Sequence, residues 1–344
     1  MLTARSEDAL SVMHAVPSSP DPGATSLSHP RVAASLRDYL AIARADHWIK
    51  NIFVLPGTAL AIGLSEHVDW SLTLIRLAMA LGATCLIASA NYTINEWLDA
   101  ASDRHHPVKS ARPAACGRMS ARWVYLQWTV LAVLGLSLGW LLGRKLFLIA
   151  VTLLVMGLVY NVPPVRTKDR RYLDVLSESI NNPLRFMLGW TAVVGTLLPP
   201  SSILIAYWMG GAYLMAVKRY SEYRFIGDPQ RAGLYRTSFK YYTESSLLLS
   251  AIYYALSSAL FLGVFLIKYK VELLLSIPFL ALLFVWYLQI GMRHDSAAQK
   301  PEKLYKERAF MLYVAGIGIL FTILLMVQIP ALHFLVETRV ISGQ

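Results

Sequence analysis

Apolar runs of about 18 residues or more recur along this chain, separated by short polar segments, and runs of that length are long enough to cross a bilayer as helices. Nine are read, at roughly 48–66, 70–95, 122–142, 145–162, 173–195, 202–219, 246–267, 271–291 and 309–330. The expectation is an all-α, multi-pass membrane protein with nine transmembrane helices. Two runs carry breaks. Pro56 and Gly57 interrupt the first. The fifth contains Glu178, Asn181, Asn182, Pro183 and Arg185, so it is predicted to face a protein interior rather than lipid.

Composition agrees with this pattern: 56% of residues are hydrophobic and 15% charged. Charge placement adds an orientation. The loops after the second, fourth, sixth and eighth runs hold twenty Lys and Arg, from Arg104 through Arg308, whereas the alternate loops hold four, Arg144, Lys145, Lys268 and Lys270. Cytoplasmic loops are the Lys- and Arg-rich ones, so the amino terminus and the even-numbered loops are expected in the cytoplasm of a bacterial-type plasma membrane. The net charge of +11 follows largely from this bias, with some cations left to bind phosphates. Nucleic-acid binding is not suggested, because the basic residues sit in short loops between spans. Residues 1–35, rich in Ser, Pro and Ala, read as a disordered cytoplasmic tail, residues 36–330 as the membrane domain and 331–344 as a short tail. Cys85 and Cys116, in a span and a cytoplasmic loop, are expected to stay unbonded.

The densest polar signal follows the second run: Asn95-Glu96-Trp97-Leu98-Asp99-Ala100-Ala101-Ser102-Asp103-Arg104. Glu96, Asp99 and Asp103 are three and four apart, which puts three carboxylates on one helical face. Beside hydrocarbon such a cluster is costly, and a divalent cation relieves both its self-repulsion and its burial. Oxygen-only ligands suit Mg²⁺, which completes its shell with waters and substrate phosphates. Lys109 and Arg112 follow and can hold phosphate oxygens of a leaving group; the plainer reading is orientation charge. A membrane enzyme that handles a diphosphate is therefore expected.

Three further segments contribute. Tyr160-Asn161-Val162-Pro163-Pro164-Val165-Arg166-Thr167-Lys168 is a proline-stiffened turn that fixes where Tyr160, Arg166 and Lys168 point. Asp174, Glu178, Asn181 and Arg185 share one helical face, the pattern of a polar cavity wall. Val217-Lys218-Arg219-Tyr220-Ser221-Glu222 is either an i,i+4 helical salt bridge or a second half-site, with Glu222 near a metal and Lys218 and Arg219 on a phosphate.

These residues, in this order, resemble the UbiA superfamily of intramembrane prenyltransferases over about residues 36–330. Its N-D-x-x-D-x-x-x-D signature is matched from Asn95 to Asp103, with Glu96 for the first Asp. The likeness is strongest to the decaprenyl-phosphate phosphoribosyltransferase subgroup. Asp46-His47-Trp48-Ile49-Lys50-Asn51 is similar to its R-P-x-Q-W-x-K-N opening. The run from Asp103 to Pro113 resembles its D-R-x-H-P-x-K-x-x-R-P, and Lys218-Arg219-Tyr220-x-Glu222 its K-R-Y-x-E. Two departures are Glu96 itself and the Tyr160–Lys168 turn, which looks more like that of pigment and aromatic prenyltransferases.

The resemblance implies a nine-helix bundle with a cytoplasm-facing polar cavity. It implies Mg²⁺ held by Glu96, Asp99 and Asp103, and transfer of phosphoribose from phosphoribosyl pyrophosphate to a polyprenyl phosphate. Asn95, Lys50, Lys109, Arg112, Tyr160, Arg166, Lys168, Lys218 and Arg219 would bind substrate. Asp99 and Asp103 would act at the leaving group, and Glu222 or Asp174 would orient ribose hydroxyls or a second ion. The product would feed a lipid-linked arabinose donor for envelope arabinan or for a secreted oligosaccharide such as a nodulation signal. The nearest rival is prenyl transfer from a diphosphate to an aromatic ring, which calls for a paired acidic repeat where Lys218-Arg219 stands. A transporter, the rival of another class, would show internal repeats and broken helices at the midplane.

Overall fold

The computed structural model describes residues 34–104, 109–195, 197–294, 296–299 and 301–333. Of the expected tails, 1–35 and 331–344, residues 1–33 and 334–344 lie outside them. Every regular element among the described residues is helical. In chain order the α-helices of seven or more residues are α1 (Leu36–Ile42), α2 (Leu55–Gly63), α3 (Trp70–Asp103), α4 (Ala121–Leu142), α5 (Arg144–Asn161), α6 (Leu173–Ser179), α7 (Asn181–Val193), α8 (Ser201–Ile226), α9 (Pro229–Tyr235), α10 (Glu244–Tyr269), α11 (Ile277–Gly291) and α12 (Arg308–Met326). Short 3₁₀ segments join them, the longest being Ala45–Val54.

Among the described residues, six helical segments are long and apolar enough to cross a membrane: Trp70–Ala101, Ala121–Leu142, Arg144–Asn161, Glu244–Tyr269, Val271–Gly291 and Arg308–Met326. They correspond to the second, third, fourth, seventh, eighth and ninth apolar runs. The remaining three differ for physical reasons. In the first run, the chain winds as a 3₁₀ helix over Ala45–Val54 and becomes α-helical only at Leu55, with Pro56 at the start of α2, where proline's missing N–H costs nothing. The fifth splits at Ile180 into α6 and α7. Pro183 lies in the first turn of α7, where it has no N–H with which to continue α6. The sixth, α8, is a continuous 26-residue helix whose last third is charged.

Away from its charged residues the bundle is apolar both in its core and on its outer surface, as a lipid environment demands. One core cluster gathers Ile87, Leu146, Leu153 and Leu188 from α3, α5 and α7. A second gathers Tyr213, Ala216, Tyr254 and Ile290 from α8, α10 and α11, and a third joins Leu60, Phe186, Phe265 and Leu324. Trp140, Leu141, Leu256, Leu260, Leu312 and Ile319 point outward and are exposed. Two glycines set how α2 and α7 cross. A Cβ on Gly57 would lie 2.0 Å from the Phe186 carbonyl oxygen, and one on Gly189 would lie 2.0 Å from that of Val54. Thr58 seals the crossing by donating to the Gly189 carbonyl at 3.1 Å. That crossing holds the 3₁₀ segment and its Asn51 against α7.

Candidate active site

The polar residues singled out in the sequence fall into two clusters. The first is built at the end of α3. Asp99 accepts through Oδ1 from Arg166 Nη2 at 2.9 Å and from Lys168 Nζ at 2.5 Å. Both cations come from the Pro163-Pro164 turn, in which the peptide between the two prolines is cis and Arg166 adopts a positive φ of 27°. The turn is braced locally: Arg166 Nε donates to Asp169 at 2.8 Å and Lys168 Nζ to Asn161 Oδ1 at 2.9 Å. Burial holds the Lys168 ammonium below the ordinary lysine range; Arg166 and Arg236 push the same way, against the pull of Asp99. Asp103 is paired with Arg112 at 2.7 Å.

The second cluster lies where α5, α6 and the charged end of α8 meet. Arg219 is its hub. Its Nη2 donates to Glu178 at 2.9 Å, its Nη1 donates to Glu222 at 3.0 Å, and its Nε stands 3.5 Å from Asp174. Tyr160 donates to Glu178 at 2.9 Å and accepts from Arg236 at 3.0 Å. Lys218 pairs with Glu222 at 3.9 Å. Lys50, 3.1 Å from His47 Nδ1, is near enough for its charge to act on Lys218. The clusters face each other across Arg236 and Tyr235: Arg236 acts on Lys168, and Tyr235 feels Glu222, Arg219 and Arg112 together. Burial pushes the Tyr235 phenol up to about 12.

Not every expected residue occupies the same kind of position. Asp174 is fully buried, with all its contacts inside the protein. It accepts from Ser238 at 3.0 Å and Tyr242 at 2.7 Å and stands 3.8 Å from Arg236. These contacts tie α6 to the segment after α9 and set the Asp174 carboxylate against two arginines. Asn95 is half-buried and makes no side-chain hydrogen bond among the described residues. The side chain of Lys109 lies outside the described residues. Arg236 was not singled out in the sequence, where it is one of six cations in its loop; only the fold shows that it reaches Tyr160.

The acidic triad does not converge in this arrangement. Among the described residues, no three His, Cys, Asp or Glu side chains stand close enough to hold a metal ion together, because Asp99 and Asp103 are each turned onto cations of this chain. The donor set nevertheless fits a hard divalent cation. Three carboxylates share one face of α3, and Glu96, although buried, has an Oε1 with no hydrogen-bond partner, an arrangement that burial makes costly.

Residues 51–314 match the model of the UbiA prenyltransferase family, well over half of the chain. The chain belongs to that family. It is an integral membrane protein of a family of membrane transferases. It is 31% identical over 206 residues to decaprenyl-phosphate phosphoribosyltransferase of Mycobacterium tuberculosis, a match covering 59% of this chain and 65% of that protein, slightly less than two thirds of its length. It is 28% identical over 228 residues to nodulation protein NoeC of Azorhizobium caulinodans, covering 66% of this chain and 71% of that one. Among solved structures, the UbiA homologue of Archaeoglobus fulgidus bound to DMAPP and Mg²⁺ superimposes with a TM-score of 0.64 at 21% identity, covering 84% of this chain and 99% of that one. This UbiA chain therefore shares that fold.

Proposed function

We propose that this chain transfers 5-phosphoribose from phosphoribosyl pyrophosphate to a polyprenyl phosphate. The observation that carries the reading is the second cluster. Where a user of prenyl diphosphate calls for paired acids to hold a second metal, α8 presents Lys218 and Arg219, with Arg219 held between Glu178 and Glu222. Such a site suits a substrate richer in phosphate. The relatives named for phosphoribosyl transfer support the same choice.

In the reaction, the bond from ribose C1 to the pyrophosphate oxygen breaks, and its electron pair leaves with pyrophosphate. C1 passes through an oxocarbenium-like state, as in other glycosyl transfers. A bond then forms from C1 to an oxygen of the lipid phosphate. That oxygen is already anionic, so no general base is needed. Arg112, Arg166, Lys168, Lys218 and Arg219 take the charge of the phosphates. Glu222 orients the ribose hydroxyls. Mg²⁺, which Glu96, Asp99 and Asp103 would hold and which is bound in the solved Archaeoglobus fulgidus UbiA homologue, would neutralise the leaving group when bound.

The positive-inside bias supports a cytoplasmic position for this end of the bundle, in a bacterial plasma membrane. The bundle spans nine times, counting the 3₁₀–α2 segment, α6–α7 and α8 together with the six long apolar helices. The tails at 1–35 and 331–344 flank the catalytic domain. The product is suited to become a lipid-linked arabinose donor.

Membranes containing the protein, labelled phosphoribosyl pyrophosphate, a polyprenyl phosphate and Mg²⁺, followed by organic extraction, test the reading. Label in the lipid phase that requires Mg²⁺ and Asp99 is the expected result. No lipid label, with a phosphoribosyltransferase control active in parallel, would favour prenyl diphosphates and aromatic acceptors.

A further inference from the structure

One cation near the second cluster is not paired within it. On α7, Leu184, Phe186, Leu188, Gly189 and Trp190 are buried, while Arg185 keeps partial exposure. Its Nε donates to Asn51 Oδ1 at 2.9 Å, and Asn51 Nδ2 in turn donates to Cys85 at 3.1 Å. Arg112, Arg166, Lys168, Lys218, Arg219 and Arg236 each have a carboxylate within ion-pair distance. Among the described residues, Arg185 has none, and its two terminal nitrogens make no hydrogen bond.

An unpaired guanidinium inside a membrane bundle is costly and marks a ligand's path by default. The planar fork of arginine matches a phosphate group bidentately. Arg185 lies seven residues beyond Glu178, on the far side of the helix break at Ile180, and Glu178 acts on it from there without forming an ion pair. Its neighbours are Tyr207, packed edge-on to Phe53, and Tyr92 beside His47. The segment carrying Asn51 also exposes Ile49, Ile52 and Leu55, whose three-residue spacing aligns them along one edge of a 3₁₀ helix. Asn51 lies on a different edge of the same segment and is turned inward, so this one segment carries both the inward partner of the cation and an outward apolar ridge.

We propose that Arg185, oriented by Asn51, anchors the phosphate of the lipid acceptor, with the isoprenoid chain along Ile49, Ile52 and Leu55. This rests on the phosphoribosyl-transfer reading and deepens it. Two anionic substrates must be held at once, and the donor's phosphates occupy the two charged clusters.

The test uses the full chain in lipid nanodiscs, with decaprenyl phosphate and uncharged decaprenol as paired probes. The wild-type protein should bind the phosphate at least about tenfold more tightly than the alcohol. Arg185→Gln should erase that preference and raise the lipid KM by about tenfold or more, with the KM for phosphoribosyl pyrophosphate within about twofold. Arg185→Lys should recover part of the preference. Asn51→Leu, which frees the guanidinium without removing it, should show a smaller loss in the same direction and serves if Arg185→Gln does not fold. A preserved preference in Arg185→Gln overturns the proposal. A rise confined to the donor's KM also overturns it, by assigning Arg185 to the 5-phosphate of the donor. If the wild-type protein transfers no phosphoribose, the reaction reading fails, and the phosphate-over-alcohol preference still decides Arg185.

Discussion

Asp99→Asn preserves the shape of the side chain and removes its charge. In the structure, one Asp99 oxygen accepts from both Arg166 and Lys168, at 2.9 and 2.5 Å, with Asp99 20% exposed and Lys168 7%. A hydrogen bond to a charged group contributes about 1.5–3 kcal/mol. The amide keeps a neutral acceptor at the same place, so roughly half of two such bonds is lost, again about 1.5–3 kcal/mol. At about 1.36 kcal/mol per decade, misplacing the two cations lowers kcat/KM by about 10–150-fold. A role for Asp99 in holding Mg²⁺ would carry the loss further. Asp103 has one such partner, Arg112, so Asp103→Asn should lose less. Initial rates of lipid labelling in nanodiscs measure both, with monodisperse elution as the check on folding. A double-mutant cycle with Arg166→Gln should show strong non-additivity, because the two residues act as one unit. Near wild-type rates in folded Asp99→Asn, or strict additivity with Arg166→Gln, would refute the reasoning.

Lys218→Ala should raise the donor's KM several-fold, with kcat little changed; unchanged kinetics would reduce Lys218 to an ordinary helical partner of Glu222. Asp174→Asn removes a fully buried charge that faces Arg219 and Arg236. Breaking such a pair costs about 3–5 kcal/mol, so the melting temperature in detergent should fall clearly, and an unmoved transition would contradict the buried network. Gly189→Ala forces a methyl within 2.0 Å of the Val54 carbonyl. Little folded protein should be recovered, as judged by size-exclusion yield, whereas normal yield would show that the α2–α7 crossing can open. Chelation with EDTA should abolish label transfer and Mg²⁺ should restore it; turnover that persists in EDTA would remove the metal from the reaction.

Much of this protein was legible in the sequence because bilayer insertion is a strong and local constraint. Length and apolarity alone mark the six long helices, and Lys and Arg placement marks the charged loops. The spacing of Glu96, Asp99 and Asp103 is a property of one helix, so their shared face could be read without a fold. Three things could not. That the first and fifth runs are not simple α-helical spans depends on whether backbone groups freed at Pro56 and Pro183 find partners in neighbouring helices. The sequence shows Gly57 only as a break and gives Gly189 no role, yet their close approach to the Phe186 and Val54 backbones holds the segment bearing Asn51 against α7. The partners of the charges are the third. Asp99 with Lys168, Arg219 with Glu178, Arg236 with Tyr160 and Arg185 with Asn51 are pairs separated by 69, 41, 76 and 134 positions. Periodicity reports only what lies within a few turns. Which carboxylate is neutralised, which is buried and which cation is left without a carboxylate among the described residues are settled by the packing of distant helices.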